Sequence, residues 1–209
     1  MTPIKIKHLT RKKSLVERAI EDGISYVEFR KLVGKLVNLN SNTGLEKNEA
    51  LANYTMLNEK RMARWDKTFK VAESVQQQLL HYDREITWLV ITESWCGDAS
   101  PSLPIMNKLA ELAPGLTLKI VQRDEHPELM DAFLTQGTRS IPKLIMIDSK
   151  NLQVLGEWGP RPAPATKMVQ DYKNENGKLT AAFRESLQVW YNKDKGQRIV
   201  KELIELITD

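Results

Sequence analysis

Cysteine is almost absent from this chain: its 209 residues include one, Cys96. A single cysteine excludes an intrachain disulfide and any zinc site built from several cysteines. Scarcity of cysteine is typical of proteins in a reducing cytosol. The fold must therefore rest on its apolar core, and a chain of this length can bury a sizeable core without covalent or metal cross-links.

Long apolar runs are also missing. No stretch approaches the roughly 20 residues of a membrane span, and the N-terminus lacks the apolar core of roughly 7–15 residues of a signal peptide. We therefore expect a cytoplasmic protein with no membrane partner. A secreted form that has lost a signal peptide is the alternative.

Histidine is scarce as well, and His8, His81 and His126 lie far apart. They do not form the spacing of metal ligands. The sequence therefore predicts no metal site and no cofactor. An iron–sulfur cluster shared by two subunits and an external thiol is a minor option, because one cysteine supplies too few ligands.

The net charge is +4, and basic residues cluster near the start of the chain. We interpret this cluster as a solvated, mobile arm rather than a nucleic-acid or membrane contact, because no nucleic-acid-binding motif accompanies it. The sequence thus predicts no nucleic-acid partner. The cluster consists of Lys5, Lys7, Arg11, Lys12 and Lys13.

Hydrophobic periodicity predicts an α/β protein, with a small mixed sheet flanked by helices. Helical spacing covers 14–38, then 46–80 as one long helix or two in series, and finally 165–209. The segment "GPRPAP" (159–164) is predicted to be irregular because of its prolines and glycine. The predicted strands are 86–92, 116–124, 142–148 and 152–158, and the helices among them are 102–113 and 126–137.

The stretch "ESWCGDAS" begins like a thiol–disulfide exchange site, with Trp95 and Gly97 on either side of Cys96. A second cysteine three positions later would complete such a site, and Ala99 stands there. Pro104 follows inside the next helix, and an Ile-Pro pair occurs further on in "QGTRSIPKLIMID". This joint pattern is far more specific than a lone Trp-Cys-Gly.

These motifs resemble the thioredoxin family. "LVITESWCGDASPSLPIMNKLA" resembles its active-site strand, loop and helix, and "SIP" resembles its cis-proline stretch. The resemblance covers about 84–172 and implies a thioredoxin-like fold. Residues 1–83 resemble the helical extension of a longer, mostly bacterial branch and are expected to pack on the core, which 173–209 completes with further helices.

Three departures from the family pattern bear on function. Ala99 replaces the resolving cysteine, Asp98 replaces a proline, and Val90 stands where the family has a buried acidic residue. The resemblance implies that Cys96 is the catalytic residue. The expected substrate-binding or supporting residues are Trp95, Gly97, Asp98, Arg139, Ile141 and Pro142.

The position of Cys96 near a helix start predicts a pKa below the ~8.5 of a free cysteine. Asp98 opposes this shift by its like charge, unless it serves only the helix dipole or as an acid/base partner. We expect Arg139 to lie near the Ile-Pro turn and to offset Asp98. The backbone of Ile141 would pair with an extended substrate.

Three functions are consistent with these residues. Cys96 could form a mixed disulfide with a protein or small-thiol disulfide, which an external thiol must resolve. It could act as a sensor through sulfenic acid, or it could remain on a redox-silent scaffold that binds a partner. An exposed, low-pKa Cys96 would favour the enzyme, and a Cys96 capped by the N-terminal helices would favour the scaffold.

Asn58, Arg61 and Arg64 on the 46–80 segment either form a lid over the site or simply lie on a helix that covers the sheet.

Overall fold

The computed structural model describes the backbone of residues 3–208 and the side chains of residues 11–208. Within this part of the chain a four-stranded sheet is flanked by helices, which confirms the α/β class. The strands are β1 (Ile86–Thr92), β2 (Leu116–Gln122), β3 (Lys143–Asp148) and β4 (Val154–Trp158). The helices are α1 (Pro3–Asp22), α2 (Tyr26–Asn38), α3 (Glu49–Thr68), α4 (Glu73–Leu80), α5 (Ala99–Leu112), α6 (Pro127–Ala132), α7 (Ala163–Asn176), α8 (Ala181–Asp194) and α9 (Gln197–Thr208).

The sheet is mixed, with strand order β2-β1-β3-β4. β1 pairs parallel with β2 and antiparallel with β3, and β3 forms an antiparallel pair with β4. All seven residues of β1 are buried, as its apolar and β-branched sequence predicts for a central strand. The parallel pair requires a crossover, which α5 provides. β1 therefore delivers the loop that follows it, with Cys96, to one end of a buried sheet.

The N-terminal helices are tied to the sheet through Ile24, which lies between α1 and α2. Its N–H donates to the Ile120 oxygen at 3.0 Å, and its own oxygen accepts from the Ile120 N–H at 2.8 Å. Buried side chains from α1 to α4 belong to the same apolar core as the strands. The division of the chain at 83 and 172 remains a prediction. The core residues of the N-terminal helices include Val16, Val33, Met62 and Leu79.

The segment predicted as one long helix or two is two helices, α3 and α4. Phe69 ends α3 in an extended conformation (ψ 132°), and its side chain is 6% exposed. Burial of Phe69 and of Val71 thus breaks the helix where neither glycine nor proline is present.

Part of the predicted solvated arm is helical, because α1 begins at Pro3 rather than at 14. Arg11 and Lys13 are exposed there. The Lys12 ammonium lies 3.8 Å from the centroid of the Phe133 ring, an arrangement that attracts a cation to an aromatic face. The side chains of Lys5 and Lys7 lie outside the described residues.

Two further boundaries differ from the sequence prediction. α6 ends at Ala132 rather than near 137, because Thr135 and Thr138 exchange backbone hydrogen bonds of 3.0 Å in a tight turn. Within that turn Gly137 has a positive φ of 75°. α7 begins at Ala163, inside the segment predicted to be irregular, because Pro164 lies in the first turn, where no N–H is needed.

Candidate functional site

Cys96 lies in the short loop between β1 and α5. Its N–H donates to the Glu93 oxygen at 3.1 Å, and its own carbonyl accepts from the Ala99 N–H at 3.2 Å. These bonds form a tight turn that leads directly into α5. The loop is therefore fixed at both ends, by a buried strand and by a helix.

The Cys96 thiol faces the Ile-Pro turn before β3. Sγ donates to the Ile141 oxygen at 3.3 Å, and the Ile141–Pro142 peptide bond is cis. The structure thus brings Cys96 against two of the residues named from the sequence. Cys96 is only 6% exposed.

Burial raises the pKa of Cys96 to about 12, and the negative charge of Asp98 adds to the effect. Hydrogen bonds from the backbone N–H groups of Ala99 and Asp98, and the charge of Arg161, act in the opposite direction. The sequence-based prediction of a lowered pKa is wrong for this structure. The helix-start effect is present, but the loss of hydration outweighs it.

Asp98 is buried beside the thiol and forms an ionic cluster there. Its Oδ2 lies 2.6 Å from Arg161 Nη2, and its Oδ1 accepts from the Tyr191 hydroxyl at 3.0 Å. It makes no side-chain capping bond to α5. Burial raises the pKa of Asp98, and Arg161 and Tyr191 oppose that rise. Asp98 therefore faces the arginine rather than the orphan N–H groups of the helix.

Arg139 does not offset Asp98, contrary to the expectation from the sequence. Its guanidinium donates two bonds of 2.6 Å to Asp131, and both side chains are half exposed. Arg139 lies in the turn after α6, so the carboxylate of that helix is the nearer partner. Arg161 takes the place beside Asp98 that was predicted for Arg139.

Three residues that the sequence did not predict contact the Cys96 loop: Arg161, Tyr191 and Gln188. Arg161 lies between two prolines in a segment interpreted only as a shaped loop, and Tyr191 lies on an apolar stripe typical of core packing. Gln188 Nε2 donates to the Gly97 oxygen at 3.1 Å. The sequence signal that could have indicated Arg161 is its place as a lone charged residue between Pro160 and Pro162. α8 and the loop before α7 therefore both close over the Cys96 loop.

α3 also contacts the Cys96 loop. Asn58 Nδ2 donates to the Ser94 oxygen at 3.0 Å, and Arg61 Nη1 donates to Asn58 Oδ1 at 3.1 Å. A Cβ added at Gly97 would lie 3.9 Å from Arg61 Nη1. Arg64 points instead to Asn192. Of the three residues considered for a lid, two therefore reach the loop.

The loop before α3 is attached to Ser94 and Trp95. The Thr43 N–H donates to Ser94 Oγ at 2.9 Å, and the Ser94 N–H donates to Thr43 Oγ1 at 2.7 Å. Trp95 Nε1 donates to the Thr43 oxygen at 3.1 Å. The Arg123 guanidinium lies 4.9 Å from the Trp95 ring. Trp95 is thus held at its Nε1 edge and over one face of its ring, and it is half buried.

Glu93 is a buried carboxylate that the sequence did not predict as a site residue. Its Oε1 accepts from the Asp124 N–H at 2.9 Å, while Oε2 is buried without a hydrogen-bond partner among the described residues. Burial raises its pKa. Val90, where the family's acidic residue would stand, is fully buried. Glu93 places a buried carboxylate three residues after Val90, just beyond the end of β1.

The described backbone runs over residues 3–208. No helix in that range is long and apolar enough to cross a membrane. Among the described side chains, those of residues 11–208, no three histidine, cysteine or acidic groups lie close enough together to hold a metal ion.

The strand, loop and helix around Cys96, the adjoining cis Ile-Pro turn and the mixed sheet define a thioredoxin-like α/β protein. The family model described as Thioredoxin matches residues 44–173. That is more than half of the 209 residues, so the chain belongs to the thioredoxin family. Membership associates it with redox-related function.

Two solved structures show the same fold. A protein of unknown function from Pseudomonas aeruginosa is 16% identical, with a TM-score of 0.62, over 91% of this chain and 95% of its own. An HIV epitope scaffold is 17% identical, with a TM-score of 0.51, over 88% of this chain and 98% of its own. No curated protein matches the chain.

Proposed function

We propose that the protein performs monothiol chemistry at Cys96 and forms a mixed disulfide with a protein or a small-thiol disulfide. The proposal rests on the buried ionic cluster beside the thiol, in which Asp98 pairs with Arg161 at 2.6 Å. Buried ion pairs add little net stability, whereas ionisable groups with shifted pKa values concentrate at functional sites. The cluster therefore favours a site that does chemistry.

The reaction needs one cysteine and two external reactants. The Cys96 thiol loses its proton to solvent, and the thiolate attacks one sulfur of the substrate disulfide. A bond forms from Sγ to that sulfur, and the other substrate sulfur leaves as a thiolate and takes up a proton. An external thiol then attacks the mixed disulfide and releases Cys96. Ala99 supplies no second sulfur, so this chain cannot resolve the intermediate itself.

Burial of Cys96 slows this reaction in the absence of substrate, because it disfavours the thiolate. With its pKa raised to about 12, the thiol is protonated at neutral pH. Burial is the largest cause of that rise, so opening the Cys96 loop to solvent lowers the pKa of the thiol. A substrate that docks at Ile141 and displaces the covering side chains would therefore activate the thiol as it binds.

The test is a mixed-disulfide assay on the native chain, read by intact mass. We expect dithiobis(nitrobenzoate) to add one nitrothiobenzoate group per chain, faster at higher pH, and an external thiol to remove it. Cys96→Ser must show no adduct. An adduct that forms only after guanidinium denaturation would overturn the proposal.

A redox-silent scaffold is the second candidate, and the 6% exposure of Cys96 favours it. On that proposal a protein or peptide partner binds at the Ile141–Pro142 edge or on the N-terminal helices, and Cys96 is a packed side chain. Cys96→Ser would then leave partner binding unchanged, whereas under the monothiol proposal it abolishes the disulfide-linked complex.

The setting of the monothiol proposal is a reducing cytoplasm, where an external thiol is abundant. We also propose that 1–83 is the helical extension of a bacterial branch of the family. Its role at the site is supported by the bonds from Thr43 and Asn58 to the Cys96 loop.

A further inference from the structure

A concave surface away from Cys96 lies between the C-terminal end of α3 and the turn that joins α8 to α9. Its volume is about 420 Å³. Arg64, Lys70 and Lys195 line it, together with Trp65 and Phe69. The three basic side chains are exposed, and the two aromatic residues are each 6% exposed. We call this surface the α3–α8 groove.

The charge of the α3–α8 groove is of one sign. Among the side chains that the structure describes, no carboxylate lines it. Another depression, beside Trp158, differs in this respect: its Lys143 pairs with Glu157 at 2.7 Å. Basic groups that face one concave space without a carboxylate repel one another, and an anion in that space relieves the repulsion.

Helix dipoles explain only part of this arrangement. Lys70 follows the end of α3 and Lys195 is the C-cap of α8, and cations are favoured at both places. Arg64 lies a full turn inside α3. It donates to Asn192 on α8 and lies 5.7 Å from the Trp65 ring. The helix dipoles therefore account for Lys70 and Lys195, one at each helix end. They do not account for Arg64, which lines the same groove.

We propose that the α3–α8 groove binds a small polyanion, such as a phosphorylated metabolite. The Arg64 guanidinium offers a planar fork that fits two phosphate oxygens, and the two lysines add point charges. The volume falls within the roughly 300–1,000 Å³ of small-molecule sites. This site is separate from Cys96 and does not depend on the proposed thiol chemistry.

Calorimetric titration of the full chain with pyrophosphate, and separately with inorganic phosphate, tests the proposal. We expect one pyrophosphate per chain, bound more tightly than phosphate because it spans more of the three charges. Added sodium chloride should weaken the binding by screening. The experiment can be done with Cys96→Ser, so its failure and that of the thiol proposal are distinguishable.

The decisive variant combines Lys70→Gln with Lys195→Asn. Asparagine is chosen because Lys195 has a φ of 55°, a conformation that asparagine tolerates. We expect the Kd for pyrophosphate to rise about tenfold on loss of two exposed charges. Lys70→Gln alone, which leaves that backbone untouched, should raise it about threefold.

The matched control is Lys173→Gln with Lys178→Gln, which removes two exposed lysines at the end of α7. It should leave the Kd within about twofold of the parent. No measurable heat with pyrophosphate would overturn the proposal. Equal affinity for phosphate and pyrophosphate, or an equal loss in the control, would do so too.

Discussion

At the residue scale, two effects of opposite sign act on the Cys96 thiol. Backbone N–H groups near the start of α5 favour the thiolate, whereas burial and the charge of Asp98 disfavour it. Burial is the largest of these, which places the pKa at about 12. Changes at single residues beside the thiol should therefore alter its reactivity in a predictable direction.

Asp98→Asn should lower the pKa of Cys96, because it removes the negative charge that disfavours the thiolate and leaves Arg161 in place. We expect alkylation of Cys96 by iodoacetamide at a fixed alkaline pH to be about two- to tenfold faster than in the parent. Asp131→Asn is the control, since it also removes a carboxylate paired with an arginine, but at an exposed position. An unchanged or slower rate in Asp98→Asn would contradict the assigned role of Asp98.

Glu93 should make stability depend on pH. Burial raises its pKa, so the folded state binds the proton more tightly than the unfolded state does. Its contribution to stability is then greatest at low pH and is lost as the pH rises through the raised pKa. Between about pH 4.5 and about pH 7, the free energy of unfolding should fall more in the parent than in Glu93→Gln.

Urea unfolding at both pH values measures this difference. Glu175→Gln, an exposed substitution on α7, should behave as the parent does. If the free energy of unfolding of Glu93→Gln depends on pH as that of the parent does, the Glu93 carboxylate is not the source of the pH dependence.

At the element scale, α8 and α3 close over the Cys96 loop from two directions. Gln188 on α8 bonds to the Gly97 oxygen, and Asn58 on α3 bonds to the Ser94 oxygen. The two helices also contact each other through Arg184, whose Nη1 donates to the Tyr54 hydroxyl at 3.3 Å. These polar contacts hold α8 and α3 against the residues on either side of Cys96, whose thiol faces the Ile141 oxygen.

Gln188→Ala should loosen this cover, because the Gly97 oxygen loses a donor worth about 1 kcal/mol. We expect Cys96 alkylation to become up to about fivefold faster, with the α/β fold retained by circular dichroism. Val189→Ala, at the neighbouring exposed position, should leave the rate unchanged. Equal rates in the two variants would show that α8 does not limit access.

At the scale of the whole molecule, one apolar core joins the N-terminal helices, the sheet and the C-terminal helices. Ile24 adds two backbone bonds to the edge of the sheet at Ile120. A shared core favours cooperative unfolding. Residues 1–83 are therefore expected to unfold together with the rest of the chain.

Urea unfolding followed by tryptophan fluorescence and by far-ultraviolet circular dichroism should give coincident single transitions. Trp65 on α3 and Trp88 on β1 report on both parts of the core. Separate midpoints for the two signals would indicate that the N-terminal helices form an independent unit.

The sequence alone determined the class of fold and the location of the site. Buried strands such as 86–92 are apolar and β-branched, a pattern that depends on neighbouring residues only and can be read directly. The Trp-Cys-Gly motif and the Ile-Pro pair marked the candidate site, and the structure brings them together, with Cys96 Sγ 3.3 Å from the Ile141 oxygen. The end of α3 was less predictable, because burial of Phe69 and Val71 against distant residues breaks the helix where no glycine or proline is present.

Only the tertiary structure decided the electrostatics of the site. Arg161 and Tyr191 lie far from Asp98 in sequence, and the choice of Arg161 over Arg139 as its partner depends on how the loop before α7 folds back. The exposure of Cys96 likewise depends on α3 and α8, which flank the site from either end of the chain. Hydration and Coulomb interactions are set by distances in space, so the pKa of Cys96 could not be inferred from its neighbours along the chain.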